Sequence, residues 1–204
     1  MNTRKQYALF LKQIHSLKPW QMTTLATAIC ERAWPNYALF AEIAQFGAPG
    51  EVRHCLNMLW DNAAGLQSAK NFERLLEKLD NNTPELDDFN MFGVHLAQDF
   101  IVGLNCSINC AMAIDPPETE VASVLTLSLS TIGKFIKYAE APDLKGIELT
   151  QYIEQHELYA LQVAFINELI NDLKKDPKQN KEFTRELRQV AANEGISQLG
   201  ISME

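Results

Sequence analysis

Apolar residues recur along this chain at the i, i+3, i+4, i+7 spacing that places side chains on one face of an α-helix. Near the start, Phe10, Ile14 and Leu17 follow this spacing. Near the end, Ile166, Ile170 and Leu173 follow it. The alternation of apolar and polar residues that is typical of a strand does not extend over six or more positions between turn residues. The pattern therefore predicts an all-α protein.

Prolines and glycines divide this pattern into about eight to nine helices. Pro19 is expected to end the first helix and open the second. Pro35 is expected to stop the second helix and begin a third, because proline has no backbone N–H to donate. Pro142 and Gly146 mark a break, after which the next helical stripe begins near Tyr159. No long polar segment interrupts the series, so the 204 residues are expected to form a single-domain helical bundle without a separable linker.

The composition is that of a globular protein with reduced thiols. Hydrophobic residues make up 47% of the chain, which is enough to fill a core. No stretch approaches the roughly 18 uninterrupted apolar residues of a membrane span, and no apolar run follows the first residues as in a secretory signal. All four cysteines lie in apolar, helical segments rather than in a disulfide framework. We therefore expect a cytoplasmic bacterial protein.

The charge of the chain is unevenly distributed. Its net charge of −8 argues against nucleic acid or an anionic membrane as the main partner. Residues 1–18 carry +4 and residues 174–188 carry +3, which leaves −15 for the rest of the chain. Either both basic segments pack on the acidic middle, or they present a basic face to an acidic or phosphorylated protein. In the second case Arg185 and Arg188 are the candidate residues of the partner face.

Motifs for catalysis and metal binding are incomplete in this sequence. Glu51 and His54 have the spacing of half a di-iron carboxylate site, but the chain has no second Glu-x-x-His, so a surface pair is the better interpretation. Cys106 and Cys110 provide two soft ligands at i, i+4, but no Cys-x-x-Cys is present, and buried free thiols are favoured. Nucleotide-binding glycine loops and nucleophile motifs are also missing from the sequence. We predict no catalytic residues, no metal and no cofactor.

The most distinctive short segment places a Glu-Arg pair just before Pro35. Two interpretations of this corner stay open: a structural tether, in which Arg32 binds Asp61, Asp87 or Asp88 through its planar fork, or a polar pocket with aromatic walls. The candidate residues of the corner are Glu31, Arg32, Asn36, Tyr37, Trp60, Asp87 and Asp88.

Several of these segments together resemble a known family. The matching pieces, in chain order, are Cys30-Glu31-Arg32, Pro35-Asn36-Tyr37, Phe46-Gly47, the helix of Trp60, Asn71-Phe72, Asp87-Asp88-Phe89 with Gly93-Val94, and Gly200-Ile201. In this order they resemble the YjaG family of bacterial proteins, the domain of unknown function 416. The resemblance implies an α-helical cytoplasmic protein without an established activity or assigned catalytic residues. It also implies a link to histidine-kinase signalling, which genomic context has suggested for the family.

These observations leave two classes of function. The first is a non-enzymatic interaction or regulatory role with a protein partner such as a histidine kinase, in which a homo-oligomer is also compatible with the sequence. The alternative is an enzyme or small-ligand-binding protein with a polar pocket around Glu31, Arg32, Tyr37 and Asp88. The two differ in whether those side chains converge on an open cavity or are consumed by contacts within the fold.

Overall fold

The computed structural model describes residues 3–175 and 178–202, and within these ranges it contains helices and no strand. The all-α prediction is confirmed. The α-helices are α1 (Thr3–Ile14), α2 (Pro19–Ala44), α3 (Pro49–Ala63), α4 (Glu73–Asp80), α5 (Gly93–Met112), α6 (Glu118–Ala139), α7 (Gly146–Gln155), α8 (Glu157–Lys175) and α9 (Lys181–Ala192). Two single 3₁₀ turns cover Leu86–Asp88 and Asn193–Gly195.

The longest helix, α2, runs through Pro35, so the predicted stop at that residue is wrong. Pro19 does open the helix at its first turn, as expected. Inside the helix, Pro35 leaves the carbonyl of Glu31 without its usual amide donor. Most of α2 is buried, and the helix packs against α5. Packing of a continuous helix offsets the loss of one backbone hydrogen bond.

Helix α7 was not predicted, because none of its residues is buried and its sequence carries no continuous apolar stripe. It ends at His156, whose extended backbone (φ −73°, ψ 141°) separates it from α8. The number of helices in the described residues therefore agrees with the prediction only because two errors cancel. One predicted boundary at Pro35 does not exist, and one helix was missed.

The core is built around the contacts of α2 with α5 and α6. One continuous cluster of buried apolar side chains extends from Phe10 in α1 to Leu199 near the end of the chain. Three buried threonines of α2 satisfy their hydroxyls locally, since Thr23, Thr24 and Thr27 each donate to a carbonyl four residues earlier. A helix buried on most sides can thus carry polar residues without leaving their hydroxyls unpaired.

Four of the remaining helices pack on this centre in two groups. Helices α3 and α9 pack on α2 and on each other, whereas α1 and α7 pack on α6. Among the described residues no helix combines the length and the apolar character that crossing a bilayer requires. The two groups of contacts create the two regions that bear on function, a buried polar cluster beside α2 and an open groove along α6.

Candidate functional site

The buried polar cluster is centred on the carboxylate of Glu31, which is only 4% exposed. Arg53 Nη2 donates to Oε1 at 2.6 Å, and Trp60 Nε1 donates to Oε2 at 2.7 Å. Arg188 Nε lies 3.6 Å from the same Oε2. We call these four residues the Glu31 corner. A buried carboxylate is costly unless it is paired and hydrogen-bonded, and both of its oxygens meet that condition here.

Each arginine of the Glu31 corner also contacts an indole ring. The guanidinium of Arg53 lies 5.3 Å from the ring centre of Trp34, and that of Arg188 lies 5.9 Å from the ring centre of Trp60. Arg188 further donates to Oδ1 of Asn57. Burial lowers the pKa of Arg188, an effect that the charge of Glu31 opposes. The corner joins α2, α3 and α9 through one carboxylate.

Arg188 is therefore engaged within the fold, although 33% of its side chain is exposed. Its position on α9 gave no sign that a buried acid lay beside it, and its predicted role on a partner face stays a prediction. Arg185, one helical turn earlier, is exposed. Its predicted role in partner binding stays a prediction.

Arg32 is a tether, as one of the two interpretations expected, but not to an acidic side chain. Its Nε donates to the carbonyl of Ala191 and its Nη2 to that of Val190, each at 2.9 Å. The guanidinium stacks 4.0 Å from the ring centre of Phe165. Burial lowers the pKa of Arg32, and nearby Glu168 opposes that shift. The expected pairing with Asp61, Asp87 or Asp88 is wrong, because Arg32 instead binds the carbonyls that the end of α9 leaves without helical partners.

Tyr37 is fully buried and donates from its hydroxyl to the backbone carbonyl of Asn82 at 3.3 Å. Its ring packs against Trp34 and Phe100. Asn82 is buried too, and its Oδ1 accepts from the backbone N–H of Ala48 at 2.6 Å. The Asn82 side chain thus closes the turn between α2 and α3, and it is the residue that sequence reasoning missed.

That turn requires glycine at position 47. Gly47 has φ +65°, and a Cβ there would lie 2.7 Å from Oδ1 of Asn82. Asp87 and Asp88, by contrast, are exposed on their 3₁₀ turn and belong to no ion pair in the described chain. The structure therefore places Asp87 and Asp88 away from Glu31 and Arg32, the residues with which they were predicted to lie.

The four side chains of the predicted pocket do not line a common cavity in the described part of the chain. The polar atoms of Glu31 and Tyr37 are hydrogen-bonded within the fold, and Asp88 is exposed on its 3₁₀ turn. Arg32 lies at the edge of an open cleft of about 740 Å³ between α8 and the segment after α9. This cleft does not include Glu31, Tyr37 or Asp88. The arrangement indicates a structural role for Glu31 and Arg32.

Asn36 lines a small cavity of about 20 Å³ between α2, α5 and α6, whose lining is mainly apolar. Neither amide atom of Asn36 has a hydrogen-bond partner among the described residues, and the same holds for Oε1 of Gln198 on the cavity wall. The other polar residues of the lining are Asp99, Ser128 and Thr131, and Asp99 accepts from Thr131 Oγ1 at 2.8 Å and from Lys134 Nζ at 2.7 Å. A space of this size holds one water molecule and no organic ligand.

The cysteines are free thiols, as expected from the sequence. Burial raises the pKa of Cys30 to about 12 and that of Cys55 to about 11, so both are protonated and poor nucleophiles at neutral pH. Glu51 is paired with Lys78 at 3.9 Å rather than with a metal partner. In the ranges that the structure describes, no three His, Cys, Asp or Glu side chains cluster closely enough to hold a metal.

A groove runs along the outward face of α6. Its floor consists of exposed or half-exposed small residues and one lysine at alternating spacings of four and three residues, namely Thr119, Ser123, Thr126, Ser130, Gly133 and Lys137. That spacing keeps all six on one face of the helix. We call this the α6 groove.

Tyr7 of α1 borders the α6 groove near its middle and divides it into two open clefts. The cleft toward the start of α6 measures about 610 Å³ and is walled by Leu11 and Val102. The cleft toward its end measures about 690 Å³ and is walled by Leu149 and Ile153. Lys134 and Lys137 line the second cleft. Both clefts thus combine apolar walls with a small, polar floor.

Comparison with known proteins gives a consistent family assignment. A family model described as "Protein of unknown function (DUF416)" matches residues 9–202. An uncharacterised protein of Haemophilus influenzae (strain ATCC 51907 / DSM 11121 / KW20 / Rd) is 28% identical over 198 residues, which cover 93% of this chain and 95% of that protein. The uncharacterised protein YjaG of Escherichia coli (strain K12) is 27% identical over 156 residues, which cover 73% of this chain and 79% of that protein.

The fold also has a counterpart among solved structures. The crystal structure of a DUF416 family protein from Shewanella baltica OS155 superposes with a TM-score of 0.84 at 30% sequence identity. The alignment covers 95% of this chain and 98% of that one. The helical arrangement described above is thus shared by an experimentally determined structure.

Proposed function

Because the chain belongs to the DUF416 family, whose description assigns no activity, we propose a function from the geometry: the protein binds an acidic amphipathic helix of a protein partner in the α6 groove. The observation that carries this proposal is the pair of apolar-walled clefts along α6, of which the cleft toward the end of α6 is also lined by Lys134 and Lys137. Amphipathic helices bind grooves of this kind by placing apolar residues against the walls.

The shape of the groove supports a helix as the occupant. Helix α6 has 22 residues, which at about 1.5 Å per residue gives a length of about 33 Å. Its small floor residues permit close approach of a second backbone, since the distance between packed helices depends on the side chains at the contact. Lys137 at the end of the floor favours a partner with carboxylates at the corresponding end.

The alternative, an enzyme or small-ligand-binding protein with a polar pocket around Glu31, Arg32, Tyr37 and Asp88, has less support. A general acid or base must reach the group whose proton it transfers. Both oxygens of the Glu31 carboxylate are already engaged by donors of the fold. The corner joins helices, and we assign it a structural role.

The identity of the partner and the location of the protein stay predictions. A histidine kinase is the partner class that the family resemblance implies, and a cytoplasmic bacterial location follows from the same resemblance. The acidic helix is the chemical feature that we expect in any such partner.

The proposal is tested by affinity capture from a native lysate with wild-type protein and three variants, followed by mass spectrometry. Ser130→Arg fills the middle of the groove and Lys137→Glu reverses its charge. His54→Arg is the matched control, because His54 is exposed on α3, outside the groove. We expect a protein, a histidine kinase among the candidates, that both groove variants lose and the control retains. Capture that is equal for all four proteins would contradict the proposal.

A further inference from the structure

We propose that the open cleft between α8 and the segment after α9 binds a short extended peptide of a protein partner, one that carries a basic and an apolar side chain. We call this the α8 cleft. It measures about 740 Å³ and shares no lining residue with the two clefts of the α6 groove, so the inference does not rest on the proposed function. The observation that carries it is a buried amide without a partner in the lining of this cleft.

Gln162 of α8 supplies that amide. The residue lines the α8 cleft and is only 3% exposed, yet its Nε2 has no hydrogen-bond partner among the described residues. A buried donor without an acceptor costs free energy, which an acceptor brought by a ligand would recover. The terminal torsion of a glutamine is broad, so this amide can turn toward an occupant of the cleft. A peptide offers such an acceptor in the carbonyl of each residue.

Gln198 offers the complementary group from the segment after α9. It lines both the α8 cleft and the small cavity beside Asn36, and its Oε1 has no partner within the described chain. A donor on one side of the cleft and an acceptor on the other match the C=O and N–H of an extended peptide. A carboxylate, which only accepts, could satisfy Gln162 but not Gln198.

The segment after α9 is held in place by its own hydrogen bonds. The N–H of Ser197 donates to the carbonyl of Ile201 at 2.8 Å. Ser197 Oγ accepts from the N–H of Leu199 at 3.1 Å and from that of Ile201 at 3.2 Å. Arg32 fixes the adjoining end of α9 through two backbone carbonyls. Because this wall is formed in advance, little conformational entropy is lost there when a peptide binds.

Exposed apolar side chains from three elements lie in the α8 cleft. Leu161 of α8, Val190 of α9 and Ile196 of the following segment are 58%, 52% and 39% exposed. Exposed apolar residues that gather at one place on a surface, with polar residues around them, mark interaction sites. These three side chains provide the contacts for an apolar side chain of the peptide.

The charges of the lining favour a basic peptide. Its two carboxylates, Glu168 and Glu194, are exposed and take part in no ion pair within the described residues. The one cation among the described lining residues, Arg32, is bound to two carbonyls of α9 and stacked on Phe165. A lysine or arginine of the peptide therefore meets opposite charge, whereas an acidic chain or a nucleic acid meets repulsion.

Titration of the isotopically labelled full chain with a capped tetrapeptide of alternating leucine and lysine tests the inference. Proton–nitrogen correlation spectra resolve side-chain as well as backbone amides. We expect saturable shifts of the side-chain amide signals of Gln162 and Gln198 and of backbone signals along the α8 cleft. The control peptide, alternating leucine and glutamate, should bind about tenfold more weakly, because it brings like charge to the two carboxylates.

Two sets of variants separate a binding role from a structural one. Gln162→Met removes the amide but keeps the length of the side chain, so it should weaken peptide binding about fivefold without lowering the urea midpoint. Gln151→Met, at an exposed residue of α7, is its control. The double variant Glu168→Lys/Glu194→Lys should reverse the preference between the two peptides. Glu77→Lys, at an exposed residue of α4, should leave that preference unchanged.

Several results would overturn the inference. They are the absence of a Gln162 side-chain shift at millimolar peptide, equal affinity for the two peptides, and unchanged affinity in Gln162→Met. Cleft signals that shift with protein concentration alone would show that a second copy covers the α8 cleft, which also overturns it. The proposed function is judged separately, by capture with Ser130→Arg and Lys137→Glu, because neither residue lines the α8 cleft.

Discussion

Trp60 donates its indole N–H to Oε2 of Glu31 over 2.7 Å, so an aromatic side chain of α3 fixes the carboxylate on which α2, α3 and α9 converge. Arg53 binds the other oxygen, and Arg188 approaches the one that Trp60 contacts. A neutral donor and two cations thus share one acid. The carboxylate is more deeply buried than either cation, so its loss and the loss of an arginine have different consequences.

Replacement of Glu31 by Gln should lower the free energy of unfolding by about 1–3 kcal/mol, less than for a fully buried ion pair. The loss of stability is smaller than for a fully buried pair because Arg53 and Arg188 keep 27% and 33% of their side chains exposed, so water can hydrate their charges. Urea denaturation monitored by circular dichroism measures the change. Glu51→Gln, at an exposed residue of α3, is the control. Equal stability of the two variants would contradict a structural role for the corner.

Replacement of Arg32 by Ala should also cost about 1–3 kcal/mol, because two carbonyls at the end of α9 lose their donors and Phe165 loses its stacking partner. Lys should restore little of this, since it has no planar fork to reach both carbonyls. Thermal denaturation compares the variants, with Arg185→Ala as the exposed arginine control. An unchanged melting temperature in Arg32→Ala would contradict the role of Arg32 as a tether between α2 and α9.

Charge reversal should have different effects at Arg185 and Arg188, which the sequence predicts to lie on one basic face. Arg188→Glu puts a second carboxylate beside buried Glu31, so it should destabilise the fold by several kcal/mol. Arg185→Glu, on an exposed residue, should change stability by no more than about 0.5 kcal/mol. If Arg185 belongs to a partner face, its reversal should instead slow association, and more so at low salt. Urea denaturation and association kinetics at two salt concentrations distinguish these effects.

Stability should decrease as the pH rises above about 8.5, where thiols of an unfolded chain begin to lose their protons. Burial raises the pKa of Cys30 to about 12 and that of Cys55 to about 11 in the folded protein. The unfolded chain therefore binds fewer protons than the folded one in this range, and linkage then lowers the free energy of unfolding with pH. Urea midpoints at pH 7, 9 and 10 measure the slope. Cys30→Ala should flatten it, and an identical slope in that variant would exclude the thiol as a cause.

Replacement of Asn36 by Leu should stabilise the protein by about 1 kcal/mol, because it removes a buried amide without a partner among the described residues and keeps the branched shape of the side chain. The measurement is the urea midpoint, with Asn62→Leu as a half-exposed control on α3. Destabilisation by Asn36→Leu would instead indicate that the amide binds a water molecule in the adjoining cavity.

The sequence predicts the elements of this fold better than their contacts. Helical spacing identifies α5, α6, α8 and α9, because each buries a face whose period is local information. The predicted end of a helix at Pro35 is wrong because the stability of α2 depends on burial by helices distant in sequence rather than on its own residues. The choice of Glu31 and Arg32 as a candidate corner is informative, but their partners lie far away in sequence. Arg188 and the carbonyl of Ala191 are contributed by α9, and no local pattern predicts that pairing.

The distance along the chain between these partners has a consequence for biosynthesis. Arg32 and Ala191 are 159 residues apart, and the hydrogen bond between them joins α2 to α9. During translation the first helices leave the ribosome long before α9 has been made. Until then the nascent α2 has neither Arg188 beside Glu31 nor an acceptor for the fork of Arg32. Completion of the native packing around α2 must therefore wait until α9 has been synthesised, and a ribosome that stalls before α9 leaves α2 without these contacts.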